Sequence, residues 1–138
     1  MIAHSEWKHD DVYQGVAENG NTILFDANAE HKHGPSPMEA VLMALCGCTS
    51  VDVVSILKKK RQALTGLRVT ATAERADTAP RVFTRILLTY AFSGKLSRKA
   101  AEDAVALSKG KYCSVSKMLE KAAPVDYEVV FVDGEPEP

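Results

Sequence analysis

The stretch that decides the fold is "SPMEAVLMALCGCTSVDVVSILKKKRQ", residues 36–62. Ser36 and Glu39 stand three residues apart, the spacing of a capping box, and Pro37 falls at the first helical position, where its missing N–H costs nothing. Apolar residues surround the first three turns, so the pattern predicts a long helix that is buried nearly all round. Gly47 in mid-helix costs about 1 kcal/mol relative to alanine, so we expect another backbone to pack closely there.

The segments on either side of this helix have the alternating pattern of strands. In residues 11–27, "DVYQGVAENGNTILFDA", apolar and polar residues alternate on both sides of Asn19 and Gly20, a dipeptide that favours a hairpin turn with both residues at positive φ. Residues 66–77 and 81–94 form a second predicted hairpin. The sequence therefore predicts one pair of antiparallel strands before the helix and another after it.

The C-terminal part of the chain is predicted to hold two shorter helices and a last strand. Ser97 caps "RKAAEDAVALSK", Gly110 is a natural residue to end that helix, and Cys113 opens "CSVSKMLEKAA" as a separate helix. A strand over 127–134 and a tail "EPEP" follow. The order ββ-α-ββ-α-α-β, with hairpins rather than βαβ crossovers, indicates an α+β fold. No repeat or linker divides residues 1–138, so we expect a single domain.

Composition excludes several classes of function. The 138-residue chain has 17 Lys and Arg against 18 Asp and Glu, a net charge of −1. This balance gives no electrostatic reason to expect binding to nucleic acid or to an anionic membrane. The longest apolar run, residues 40–48, has nine residues, far fewer than the roughly 20 that span a bilayer. The N-terminus lacks the pattern of a signal peptide. We therefore expect a soluble, cytoplasmic protein.

Three cysteines in two different settings are the candidate reactive residues. The number is small and odd, and a chain without an export signal stays in a reducing compartment, so a structural disulfide is not expected. Cys113 lies at the start of a predicted helix, where free N–H groups, the helix dipole and nearby lysines stabilise a thiolate. Cys48 lies inside a buried helix, where desolvation raises the pKa of a thiol, with Asp52 one turn later. Local physics alone therefore favours Cys113 as the nucleophile.

Two further groups are interpreted as structural. Cys46 and Cys48 lie about 200° apart around a helix, so they do not serve one site, and we interpret Cys46 as a packing residue. His31 and His33 form a His-x-His pair in the loop before the helix. No carboxylate or thiol stands at a suitable spacing from them, so we interpret both as solvated and predict no metal site.

The two cysteine segments, "GPSPMEAVLMALCGCTSVDVV" (34–54) and "KYCSVSKML" (111–119), resemble the OsmC/Ohr family of thiol-dependent hydroperoxide reductases. The first is similar to the family's Gly/Asn-x-Pro-x-Glu lead into a central helix, and the second to its Cys-x-Val-Ser segment. The resemblance spans essentially the whole chain in element order. It implies an intertwined homodimer in which antiparallel sheets wrap around long central helices. It also implies that Cys48 attacks the peroxide and that Cys113 resolves its sulfenic acid as a disulfide, both at the subunit interface.

Two positions depart from the family's pattern. Hydroperoxidases of the family activate the first cysteine with an arginine from the N-terminal loops, and this sequence has no arginine before Arg61. Their glutamate directly follows the proline of the motif. Here Met38 holds that position, and Glu39, our third candidate site residue, lies one residue later, where the capping box also explains it. The remaining candidates for a positive charge are Lys8, His31, Lys32 and His33, and, from a second copy of the chain, Arg81 and Arg85.

Three functions are compatible with these residues. The leading hypothesis is an enzyme of oxidative stress defence. It reduces a small hydrophobic hydroperoxide through a Cys48–Cys113 disulfide, with an external thiol or dithiol as reductant and no bound cofactor. The second is a redox-sensing or small-ligand-binding module with little turnover, which the missing arginine and shifted glutamate favour over a vigorous enzyme. The third is a structural dimer with cysteines in its core, and the presence of both thiols at the family's positions argues against it.

Overall fold

The structure is a computed structural model and describes residues 1–136. The last two residues of the predicted C-terminal tail lie outside this range. Its contacts divide the chain into two compact units, residues 1–43 and residues from 44 onward, and the predicted α+β class is confirmed. In chain order the described elements are β1 Ala3–His9, β2 Val12–Ala17, β3 Thr22–Asp26, α1 Pro37–Lys59, β4 Ala63–Arg75, β5 Phe83–Lys95, α2 Arg98–Leu107, a π-helical segment Ser108–Tyr112, α3 Ser114–Leu119 and β6 Val125–Phe131.

The N-terminal unit contains a three-stranded antiparallel sheet in the order β1-β2-β3. The predicted β2–β3 hairpin is confirmed, but its turn differs from the prediction. Gly20 has a φ of 90°, whereas Asn19 is not at positive φ. The N–H groups of Ala17 and Gly20 bond to Asn21 O and Ala17 O, so the loop has three residues and needs a left-handed conformation only at its glycine.

Strand β1 was not predicted from the sequence. All seven of its residues are exposed, so no apolar alternation marks it. It joins the sheet through backbone pairing with β2 across a tight turn in which Asp10 has a φ of 46°. Asp is one of the few residues with a side chain that tolerate this left-handed conformation.

The predicted capping box starts α1. The Ser36 N–H donates to Glu39 Oε1 at 2.9 Å, and the Glu39 N–H donates to Ser36 Oγ at 3.1 Å. The helix then runs 23 residues to Lys59, three residues short of the predicted end. Within the C-terminal unit it buries one row of side chains at four-residue spacing: Leu45, Thr49, Val53 and Leu57. This row fixes which face of α1 points into the core.

The opposite face of α1 is apolar but uncovered within this chain. Met43 and Val51 are 59% and 69% exposed. A Cβ atom added to Gly47 would have no neighbour within 4 Å among the described residues, apart from its own helix backbone and adjacent residues. The backbone contact expected at Gly47 is therefore not made within one chain. By length and composition α1 could also cross a membrane. Because Leu45 and Val53 are fully buried, we interpret α1 as a core helix with one open face.

The C-terminal unit contains a second sheet in the order β4-β5-β6. Strands β4 and β5 are the predicted hairpin, antiparallel and 13 residues each. The β6 strand lies parallel to β5, with Val125 beside Ile86. The prediction of hairpins without a βαβ crossover is therefore wrong at this point. The helices between β5 and β6 return the chain to the starting end of β5, and a strand that begins there must run parallel to its neighbour.

The connection between β5 and β6 contains the second cysteine segment. Ser97 caps α2 as predicted, its Oγ accepting the Ala100 N–H at 3.0 Å. The helix does not end at Gly110, which lacks the positive φ of a terminating glycine, but continues into the π-helical segment. Cys113 then opens α3, and its Sγ accepts the Ser116 N–H at 3.4 Å. The π-helical segment thus leads directly into Cys113, which is fully buried.

Candidate active site

The C-terminal unit brings Cys48 and Cys113 together. Cys48 is half-buried on α1, and Cys113 is fully buried at the start of α3. The two thiols are close enough that a hydrogen bond to Cys48 and the charge of Cys48 both act on the pKa of Cys113. Two cysteines that are distant in the sequence are therefore neighbours in the fold.

Burial raises the pKa of Cys113 to about 11. The Ser116 N–H opposes this shift, whereas the hydrogen bond and charge of Cys48 and the charge of Asp52 add to it. The sequence-based expectation that the helix start lowers the pKa of Cys113 is thus wrong. A single N–H at the start of a short helix does not offset the loss of hydration.

The lysines beside Cys113 in the sequence point to other partners. The amino group of Lys109 donates to Val125 O and lies 5.1 Å from the centre of the Tyr127 ring. Lys117 pairs with Glu120 at 3.0 Å. These contacts are a second reason why the expected acidity of Cys113 does not arise.

A row of three fully buried hydroxyl groups, which we call the hydroxyl chain, leads from β5 to a carboxylate on α1. Tyr90 OH lies 2.7 Å from Thr49 Oγ1, which lies 2.7 Å from Ser108 Oγ. Ser108 Oγ donates to Asp52 Oδ2 at 2.9 Å. An ionised carboxylate only accepts hydrogen bonds, so the protons of the chain all point from Tyr90 toward Asp52. Burial raises the pKa of Tyr90 to about 12. The Tyr90 hydroxyl, the first donor of the hydroxyl chain, therefore keeps its proton at neutral pH.

The π-helical segment connects this chain to the thiols. Ser108 is its first residue, and the Ser108 carbonyl accepts the Cys113 N–H at 2.7 Å. Asp52 follows Cys48 by one turn of α1 and shares its face. Ser108 is thus tied to Asp52 by its side chain and to Cys113 by its backbone. Such π-helical insertions in α-helices are frequent at functional sites.

The members of the hydroxyl chain were not predicted from the sequence. For Thr49 a signal exists, because it is the one polar residue in a row otherwise made of Leu45, Val53 and Leu57. Tyr90 fits the alternation of a buried strand, and Ser108 follows an ordinary amphipathic helix. Their shared role arises only when β5 and the π-helical segment pack on α1.

Glu39, the third predicted site residue, lies in the N-terminal unit and is exposed. Hydrogen bonds from Ser36 hold the pKa of its carboxyl below the ordinary value. Its Oε1 also lies 3.7 Å from His31 Nε2. The capping box therefore gives Glu39 a structural role at the start of α1.

Cys46 and Cys48 have different neighbours, as the helix-face interpretation requires. Burial raises the pKa of the Cys46 thiol, and a hydrogen bond from the backbone of Ala71 on β4 opposes the shift. Cys48 instead faces Cys113. Within residues 1–136, no group of three or more His, Cys, Asp or Glu side chains is placed to hold a metal ion.

Several cations proposed from the sequence are engaged with nearby acids. In the C-terminal unit, burial lowers the pKa of Lys109, and the charges of Glu120, Asp126 and Cys113 oppose that shift, so Lys109 lies within electrostatic range of Cys113. Lys8 pairs with Glu6 at 3.6 Å, Lys32 with Glu30 at 3.0 Å and Arg85 with Asp126 at 3.9 Å, all at exposed positions.

Comparison with known proteins identifies relatives along most of the chain. Residues 29–128 match the family model described as OsmC-like protein. Protein YhfA of Escherichia coli strain K12 is 47% identical over 133 residues, which cover 94% of this chain and 98% of YhfA. A hypothetical protein from Aquifex aeolicus VF5 is 30% identical, with a TM-score of 0.80 over 94% of this chain and 96% of that one. The organic hydroperoxide resistance protein OhrB of Bacillus subtilis, 15% identical, shares the fold with a TM-score of 0.63 over 94% and 98% of the two chains.

Proposed function

This chain belongs to the family of OsmC-like proteins, and we propose that its paired thiols reduce small hydrophobic hydroperoxides in the cytoplasm, as a defence against oxidative stress. The observation that carries the proposal is the proximity of Cys48 and Cys113. Solved structures with the same fold include proteins named for organic hydroperoxide resistance. In this proposal an external thiol or dithiol regenerates the protein and no bound cofactor takes part.

The electrostatics of the pair support attack by Cys48 and resolution by Cys113. Burial raises the pKa of Cys113 to about 11, and the hydrogen bond and charge of Cys48 add to this shift. Cys113 therefore stays a protonated thiol at neutral pH. Since the thiolate is the nucleophile, Cys113 is poorly suited to attack first, and the proposal assigns the attack to Cys48.

The proposed reaction has three balanced steps. The Cys48 thiolate attacks one peroxide oxygen, so that an S–O bond forms, the O–O bond breaks, and the alkoxide takes a proton and leaves as the alcohol. The Cys113 sulfur then attacks the Cys48 sulfur, an S–S bond forms, and the hydroxide of the sulfenic acid leaves as water with the Cys113 proton. A dithiol finally reduces the disulfide by exchange and is itself oxidised.

A mainly apolar cavity lies beside Asp52, one helical turn from Cys48, although neither thiol is among its lining residues. It has a volume of about 400 Å³ and is lined by Val51, Asp52, Ile56, Leu107 and Tyr112, together with Ser55 and two lysines. Pockets of this size and composition suit small apolar ligands.

We also propose that the protein is a homodimer. The open face of α1, with Met43 and Val51 exposed beside Gly47, is an apolar surface of the kind that a second subunit covers. A glycine at its centre allows another backbone to approach, as the sequence led us to expect.

Two observations favour a second candidate, a redox-sensing or ligand-binding module with slow turnover. Cys113 is fully buried with a raised pKa, and a thiol that stays protonated attacks slowly at neutral pH. Glu39 is engaged in the capping box. Slow formation of the disulfide would suit a sensor better than a fast peroxidase.

The two thiols can be separated by mutation. We expect Cys113→Ser to consume one equivalent of organic hydroperoxide and to accumulate a sulfenic acid at Cys48, because attack does not need the resolving thiol. We expect Cys48→Ser to be nearly unreactive, and Cys46→Ser, the matched control, to behave as wild type. Peroxide consumption and trapping of the sulfenic acid by dimedone are the measurements. Equal reactivity of Cys48→Ser would reverse the roles, and unreactive wild-type protein would favour the binding module.

A further inference from the structure

The hydroxyl chain has no part in the three proposed steps, although it lies in the core beside the thiols. Tyr90, Thr49 and Ser108 are fully buried, and a buried hydroxyl is costly unless it is paired. Here each donates to the next, and the last donates to Asp52. The hydroxyl chain thus ends at the carboxylate of Asp52 and holds that carboxylate in place.

Asp52 is held on the side of α1 where the two thiols meet. It lies one helical turn after Cys48 on the same face. Ser108 binds its Oδ2 at 2.9 Å, and the Ser108 carbonyl accepts the Cys113 N–H at 2.7 Å. Ser108 therefore connects the Asp52 carboxylate to Cys113, through its side chain on one side and its backbone carbonyl on the other.

We propose that Asp52 is a positioning residue: fixed by the hydroxyl chain, its negative charge keeps Cys113 a protonated thiol and so reserves Cys113 for the second step. The consequence for the reaction rests on the proposed function, but the effect on Cys113 does not. Burial is the largest cause of the raised pKa of Cys113, and the charges of Cys48 and Asp52 add to it. Oxidation of Cys48 to a neutral sulfenic acid removes the first of these charges, so Cys113 becomes a better nucleophile only after Cys48 has reacted.

Four ionisable groups act on or respond to Cys113 from the elements packed against it. They are Cys48 and Asp52 on α1, Tyr90 on β5 and Lys109 in the π-helical segment. Tyr90 stays neutral until its pKa of about 12. With Cys48 replaced by serine, Asp52 and Lys109 are the charged members of this set at neutral pH.

The test is a titration of Cys113 as the sole thiol. In a Cys46→Ser, Cys48→Ser parent, the Cβ carbon-13 shift of the labelled cysteine reports its protonation directly, without need for a reagent to enter the core. We expect Asp52→Asn to lower the midpoint by about half a pH unit or more, because it removes a nearby negative charge. Asp52→Glu should restore most of the shift. Asp103→Asn, which removes an exposed carboxylate on α2, should leave the midpoint unchanged.

A midpoint in Asp52→Asn that equals or exceeds that of the parent would overturn the inference. If Asp52→Asn fails to fold by circular dichroism, Ser108→Ala replaces it. We expect that variant, which frees the carboxylate, to shift the midpoint in the same direction, and an unchanged midpoint there would overturn the inference as well. Peroxide is not used in the titration. A wild-type protein that ignores peroxide while Asp52→Asn shifts the midpoint would therefore refute the proposed reaction and leave the effect of Asp52 on Cys113 intact.

Discussion

Thr49 is the residue on which the polar part of the C-terminal core depends. Its hydroxyl joins Tyr90 on β5 to Ser108 at the start of the π-helical segment, with both contacts at 2.7 Å. Because all three residues are fully buried, water cannot replace a lost partner without a rearrangement of the core.

We expect Thr49→Val to destabilise the protein by about 1–3 kcal/mol, because valine has nearly the same shape but leaves the Tyr90 hydroxyl without an acceptor. The free energy of unfolding from urea denaturation measures the effect. Thr70→Val is the matched control, since Thr70 is exposed on β4. If both variants lose the same stability, the hydroxyl chain does not stabilise the core.

Residue motifs indicated both thiols but not their acidities. Cys48 and Cys113 are recognisable from short segments that carry the family resemblance. The raised pKa of Cys113 comes from burial and from the charges of Cys48 and Asp52, which are properties of the packed structure. A local rule about helix starts therefore gave the wrong direction for that pKa.

Among the secondary-structure elements, those with local signals were predictable. The start of α1 and the β4–β5 hairpin depend on residues close in sequence, through a capping box and strand alternation. Strand β1 and the parallel pairing of β6 have no such local signal, because backbone pairing and the return of the chain through α2 and α3 create them. The π-helical segment likewise has no marker in its sequence, "SKGKY".

The open face of α1 yields a test of the proposed dimer. We expect Gly47→Leu to convert the dimer to a folded monomer, because a large side chain at the centre of this face prevents close approach of a second subunit. Within one chain the space around Gly47 is open, so the fold itself should tolerate the substitution. Light scattering and circular dichroism measure the two effects.

Lys99→Leu on α2 is the control for Gly47→Leu, because it adds the same side chain at an exposed helical position. That variant should keep the mass of the wild type. A Gly47→Leu protein that remains dimeric would place the interface elsewhere, and a wild-type monomer at micromolar concentration would refute the dimer.

At the scale of the whole molecule, the C-terminal unit holds every group that the proposed chemistry requires. Both thiols, Asp52 and the hydroxyl chain lie within it, on α1, β5 and the crossover to β6. Cys46 lies on the same helix, with the backbone of Ala71 as its neighbour. The fold therefore distinguishes one pair among the three possible cysteine pairs.

The most direct test of that distinction is peptide mapping after addition of one equivalent of an organic hydroperoxide to the reduced protein. The proposed reaction predicts the loss of two thiols per chain, a disulfide between Cys48 and Cys113, and a free Cys46. A disulfide that contains Cys46, or three thiols that remain free while the hydroperoxide persists, would contradict it.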